Sequence, residues 1–197
     1  MPISKRSTDL FPLNLFDLPD DEFPWWVAHV RSRQEKVLAR HLLPLNIPFY
    51  LPQREKRVRR AGRTFVSYLP LFPGYVFFRG SADARHSALR SNLIVKVLEV
   101  NEPLRLADEL FQLRRLEESG ADLLPFFDFS PGDAVRITEG PFRGYSGVLQ
   151  RAAGRVRLLV SISMLRQTVA VEFERAVVAP VRPACSDSQG RQDVTVS

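Results

Sequence analysis

Eight consecutive residues, Leu71-Phe72-Pro73-Gly74-Tyr75-Val76-Phe77-Phe78, constrain this chain most. Pro-Gly reads as a tight turn, and the apolar run behind it reads as a strand. Side chains alternate along a strand, so Tyr75 and Phe77 go to one face and Val76 and Phe78 to the other. Both faces are apolar, and a sheet holding this strand needs a cover on each side. Helices of the same module can supply one cover. A partner can supply the other, because aromatics left bare mark an interaction surface.

The neighbouring segments fit such a sheet. Trp25 to Arg31 reads as a strand. Ser32-Arg33-Gln34-Glu35 then has the spacing of a capping box. The helix behind it carries Val37, Leu38 and Leu42 on one side, with Arg33, Lys36 and Arg40 on the other, and Pro44 ends it. Residues 47–51 form a second strand. Residues 53–63 hold six basic side chains and one acid and turn at Gly62, as an exposed hairpin. Residues 64–69 return as a strand. Ser81 caps a short helix over residues 82–90, and residues 94–100 are strand-like. Leu106, Leu110, Leu113 and Leu116 recur at helical spacing. The pattern is α+β, with one mainly antiparallel sheet.

The charge of +6 is unevenly placed. Residues 1–24 carry −3, residues 25–98 carry +11, residues 99–128 carry −5, residues 129–182 carry +4 and residues 183–197 carry −1. Two basic blocks around an acidic one point to two modules. The cations are 24 arginines and 4 lysines, and arginine forks suit phosphate. The basic hairpin and the basic helix face are the candidate phosphate-tracking surfaces.

Enzyme chemistry has little to work with. The histidines are His29, His41 and His86, without a carboxylate motif around them. There is no phosphate-cradling glycine loop, nucleophile elbow or metal-ligand spacing, so no catalytic residue, metal or cofactor is expected. Cys185 alone makes neither a disulfide nor a zinc cluster. No apolar stretch approaches the roughly 20 residues of a membrane span. The acidic N-terminus does not read as a secretory or transit signal, so a cytoplasmic protein without membrane contact is expected.

The second module opens at Gly132. Val135 to Thr138, residues 147–149, 156–162 and 169–173 are short strands at close spacing, as in a small all-β barrel. Val156, Val160, Ile162, Val169 and Val171 favour strand over helix.

The combination resembles the NusG family of transcription elongation factors over residues 25–180. Three segments carry the likeness: Trp25-Trp26-Val27 with the helix bearing Glu35-Lys36, the Leu71 to Val76 run, and residues 132–147, which look like a KOW motif. The resemblance implies an NGN-type antiparallel sheet with helices, followed by a small SH3-like KOW barrel. The expected division is a flexible extension at 1–24, an NGN-like polymerase-binding domain at 25–118, a linker at 119–131, the barrel at 132–182 and a disordered tail at 183–197.

The resemblance also implies a mechanism. The first domain would dock on the clamp helices of RNA polymerase, close the clamp and suppress pausing. The positions matching the docking cavity are His29, Phe72, Tyr75, Phe77 and Val97. The compact first domain is similar to specialised RfaH-like paralogues, whose first helix touches the non-template DNA strand. Arg31, Gln34 and His41 match those positions, and Arg33, Lys36 and Arg40 add charge beside them. Ser91-Asn92-Leu93 stands where many relatives have Thr-Pro-Gly. Ser163-Met164-Leu165-Arg166 stands where housekeeping members have a Gly-Arg pair, so contact with a termination factor transfers poorly. The barrel's partner would be a ribosomal protein or a termination factor, and a monomer is expected. Two readings stand beside antitermination: a housekeeping factor that promotes termination, and an RNA- or ribosome-binding protein led by the KOW barrel.

Overall fold

A computed structural model describes residues 8–60, 62–121, 123–126, 133–137, 146–152, 155–173 and 178–180. In chain order the first elements are β1 (Leu10–Phe11), β2 (Trp25–Val30), α1 (Glu35–Leu42), β3 (Phe49–Tyr50) and β4 (Gln53–Arg60). They continue with β5 (Arg63–Pro70), β6 (Tyr75–Arg79), α2 (Ala82–Leu89), β7 (Ile94–Leu98) and α3 (Pro103–Glu118). Six strands follow: β8 (Leu123–Phe126), β9 (Asp133–Ile137), β10 (Ser146–Ala152), β11 (Arg155–Ile162), β12 (Gln167–Phe173) and β13 (Val178–Pro180).

The first sheet runs β1-β3-β6-β2-β7 and is antiparallel throughout. Strands β4 and β5 leave it as a separate hairpin, with Gly62 at φ 73° in its turn. The second sheet runs β13-β9-β10-β11-β12-β8, also antiparallel. The fold is α+β, an antiparallel sheet with helices followed by an all-β unit. Residues 138–145 of the KOW-like stretch and the 183–197 tail lie outside the described residues.

The two-faced strand behaves as its alternation requires. Val76 and Phe78 pack with Ala28, Val30 and Phe49 against Leu38, Ala39 and Leu42 of α1 and Ala88 of α2. Phe77 packs on the other side with Trp25, Val27 and Tyr50. The cover there comes from the same chain: Leu15, the four leucines of α3, and Val160, Ile162 and Val169 of the second sheet. Each buried aliphatic side chain contributes about 1.5–3 kcal/mol.

Three expectations need correction. Residues 8–24 are not a flexible extension. Strand β1 pairs with β3, and Leu15 is fully buried because the aromatic side of the sheet needs apolar cover. The expected linker is not only linker, since β8 lies within it, pairs with β12 and buries Leu123. The capping box at Ser32 and Glu35 does not form. Arg33 has φ 61°, and α1 begins only at Glu35, with no side-chain cap. Glu35 is buried, and its Oε1 accepts the Gly74 N–H at 2.7 Å. A charge-assisted bond across 39 residues outweighs a local cap on an exposed serine. The helix α2 cap does form, with Ser81 Oγ accepting the Ala84 N–H at 3.4 Å.

Candidate functional site

Four of the five residues matched to a docking cavity share one side of the first sheet. His29 of β2 lies directly opposite Tyr75 of β6, and their rings are 5.2 Å apart. Both are half-buried. The turn before β6 makes this pair possible. Gly74 has φ 85°, in the left-handed region that favours glycine, and its carbonyl accepts the Val30 N–H at 2.8 Å. A Cβ on Gly74 would stand 3.6 Å from the His29 ring. Phe72 and Phe77 meet edge to face at 6.1 Å, but both are buried, Phe77 completely.

Val97 does not join them. It pairs with Ala28, which faces the helix side with Val76, so the register turns Val97 to that side. Leu98 pairs with Val27 and packs on the aromatic side instead. A register shift between His29 and Val30 lies next to this pairing. The shift displaces only the Val30–Ile94 pair, so Val97 stands in the regular run, and the match by resemblance does not carry this pairing.

The second sheet is held to α3 beside this surface. Glu109 accepts the Ser163 N–H on Oε2 at 2.9 Å and the Ser163 hydroxyl on Oε1 at 2.5 Å. Arg105 donates to Ser163 Oγ at 2.7 Å and pairs with Glu102 and Glu109. Met164 and Leu165 pack against the aromatic-side core. The departure from the Gly-Arg pair therefore forms an internal contact. Sequence reasoning missed the Glu109–Ser163 pairing, whose one signal is an acid on the first turns of an otherwise leucine-striped helix.

Further along α3, Glu117 accepts the Tyr50 hydroxyl at 2.9 Å and the Gln53 N–H at 2.8 Å. Burial pushes its pKa up to about 7, with these two donors working the other way. Burial and the Glu117 carboxylate raise the Tyr50 pKa well above its ordinary value.

The six residues proposed for nucleic acid spread over α1 and its entry. Arg31, Arg33 and Arg40 are exposed, and Gln34 is half-buried. Arg40 Nε donates to the Lys36 carbonyl at 3.2 Å, and Lys36 Nζ donates to the Tyr68 carbonyl of β5. His41 is set apart: its Nε2 is shielded and has no hydrogen-bond partner among the described residues. In the hairpin, Lys56, Arg57 and Arg59 are exposed, and Arg57 pairs with Glu55. Among the described residues, no group of three or more His, Cys, Asp or Glu side chains could hold a metal, and no helix is long and apolar enough to cross a membrane.

A family model described as "Transcription termination factor nusG" matches residues 23–115. The "Transcription termination/antitermination protein NusG" of Pasteurella multocida is 32% identical over 133 residues, covering 63% of this chain and 72% of that protein. The protein of the same name from Pseudomonas aeruginosa is 27% identical over 175 residues, covering 80% of this chain and 98% of its own length. Among solved structures, "Domain interaction in Thermotoga maritima NusG" aligns with 78% of this chain and 94% of its own at a TM-score of 0.48 and 19% identity.

Proposed function

The chain belongs to the NusG family, and from that premise we propose that it is a transcription elongation and antitermination factor without catalytic activity of its own. It docks on the clamp helices of RNA polymerase through the aromatic side of its first sheet. Docking holds the clamp closed and suppresses pausing. The observation that carries this reading is the His29–Tyr75 pair, half-buried on a sheet face whose remaining cover comes from distant parts of the chain. The part of that cover drawn from the second sheet can be exchanged for a partner, whereas a cover built from adjacent helices cannot. Phe72 and Phe77 then become available only when the aromatic-side cover moves off the sheet.

Antitermination is favoured over termination because the 163–166 turn is engaged with Glu109 and Arg105. In the non-template-strand contact, Arg31, Arg33, Lys36 and Arg40 supply the charge. His41 is half-buried with its Nε2 shielded, so it contributes less than these four.

The test is capture of purified core polymerase by the full chain, with His29→Ala and Tyr75→Ala as variants. Neither side chain is fully buried, so both variants keep the fold. Each is expected to weaken capture about tenfold, as loss of an aromatic anchor does. Capture at the unaltered level by both would sink the assignment of this face.

A further inference from the structure

A cleft of about 680 Å³ opens between α1, the base of the β4–β5 hairpin and the turn after β11. Its size lies within the range of about 300–1,000 Å³ usual for small-ligand sites. Five cations line it: Arg33, Lys36 and Arg40 from α1 and its entry, Arg54 from β4, and Arg166 from the turn. None of the five forms an ion pair within 4 Å with a described residue. The acid in the lining, Glu35, is turned inward onto Gly74 and is buried. The remaining wall is largely apolar, with Tyr68, Leu69, Pro70 and Pro73. Burial and the neighbouring Arg40 lower the Lys36 pKa, with Glu35 working the other way.

We propose that this cleft binds a free nucleoside polyphosphate, with its phosphates among Arg33, Lys36, Arg40, Arg54 and Arg166 and its base on the Tyr68–Pro70 wall. Charge decides between this ligand and a nucleic-acid strand. A strand brings one negative charge per nucleotide, and a cleft of this volume admits little more than one nucleotide. A polyphosphate concentrates several charges at one end, matching cations drawn from three elements. Guanidinium forks bind such groups in pairs, and the planar base suits an apolar wall.

Arg166 belongs to the second sheet and the other four cations to the first module. A bound polyphosphate therefore ties the second sheet to α1 and favours the covered state of the aromatic side. The site does not depend on the clamp docking, and only this consequence for docking rests on it; Arg33, Lys36 and Arg40 are shared with the proposed strand contact, so the two ligands would compete there.

The test is titration of the full chain, without polymerase, against N-methylanthraniloyl-GTP followed by fluorescence. Unlabelled GTP, inorganic triphosphate and a short single-stranded oligodeoxynucleotide serve as competitors. The expected result is saturable binding displaced by GTP and by triphosphate. Arg54→Gln and Arg166→Asn should each weaken it about tenfold without shifting the melting temperature. Asparagine at 166 suits the left-handed φ of 52°. If either variant melts early, Arg40→Gln on α1 replaces it. Absence of saturable binding, binding indifferent to the variants, or displacement by the oligonucleotide alone would overturn the proposal. Because polymerase is absent, a negative titration leaves the docking reading intact, and failed polymerase capture leaves this site intact.

Discussion

Both sides of the first sheet bury apolar residues but are covered in different ways. On one side, α1 and α2 lie against strands of the same module, and Ala28, Phe49, Val76 and Phe78 meet Leu38 and Leu42 in fully buried packing. On the other, Trp25, Val27, Tyr50 and Phe77 are covered by an N-terminal segment, α3 and a second sheet. That cover is held partly by polar contacts: Glu117 to Tyr50 and Gln53, and Glu109 to Ser163. Apolar packing closes both sides, but adjacent helices supply it on one, whereas elements distant in the chain supply it on the other, with polar bonds beside it. The first arrangement preserves a fold. On the proposed reading, the second permits a change of partner.

The largest expected effect lies on the helix side. Phe78→Ala opens a cavity in a fully buried cluster and should cost about 3–5 kcal/mol in chemical denaturation. A loss below about 1 kcal/mol would mean that this side is no more tightly built than the other.

The next effect belongs to α3. Glu117 has a folded-state pKa of about 7 against an ordinary value of 4.5. Between those values the folded chain holds more protons than the unfolded one. The stabilisation is therefore complete below about 4.5 and is lost as pH rises through about 7. The loss is up to about 3 kcal/mol, visible as melting temperatures that fall from pH 5 to pH 8. Glu117→Gln should flatten that profile. An unchanged slope in the variant would place the pH dependence elsewhere.

Glu109→Ala removes the acceptor for Ser163 and should weaken the second sheet's hold by about 1–2 kcal/mol. On the proposed reading it also raises polymerase capture, whereas reduced capture would count against an exchangeable cover. The smallest effect is Ser81→Ala, a lost cap on α2 of about 0.5–1 kcal/mol. It should leave polymerase capture unchanged, which sets the helix side apart from function.

Local order was legible in the sequence because it depends on short-range periodicity. The division of Tyr75 and Phe77 from Val76 and Phe78 follows from the pleat alone. The Ser81 cap, the Gly62 turn and four of the six described strands of the second sheet follow from equally local signals. What escaped depends on contacts far apart in the chain. Glu35 reads as a capping acid until the Gly74 N–H is placed beside it. Val97 is matched to the docking cavity by resemblance alone, and only the pairing with Ala28 turns it to the helix side. The second cover reads as a partner's because the leucines of α3 and the valines of β11 and β12 give no sign of where they dock. The five-cation cleft escaped for the same reason, since Arg54 and Arg166 are 112 positions apart and share no motif.

The guanidinium of Arg79 has a practical consequence for where this protein can be cut. It is 1% exposed and donates to the carbonyls of Phe23, Leu15 and Pro19 and to Asp20. Its cationic centre lies 5.0 Å from the Trp25 ring. The family match begins at residue 23, which invites an expression boundary there. A chain trimmed to that boundary would lose Leu15, Pro19 and Asp20 and strand a buried cation, an error costing about 3–5 kcal/mol. The smallest fragment that keeps every Arg79 partner starts before Leu15, and truncations for binding assays should begin there or earlier.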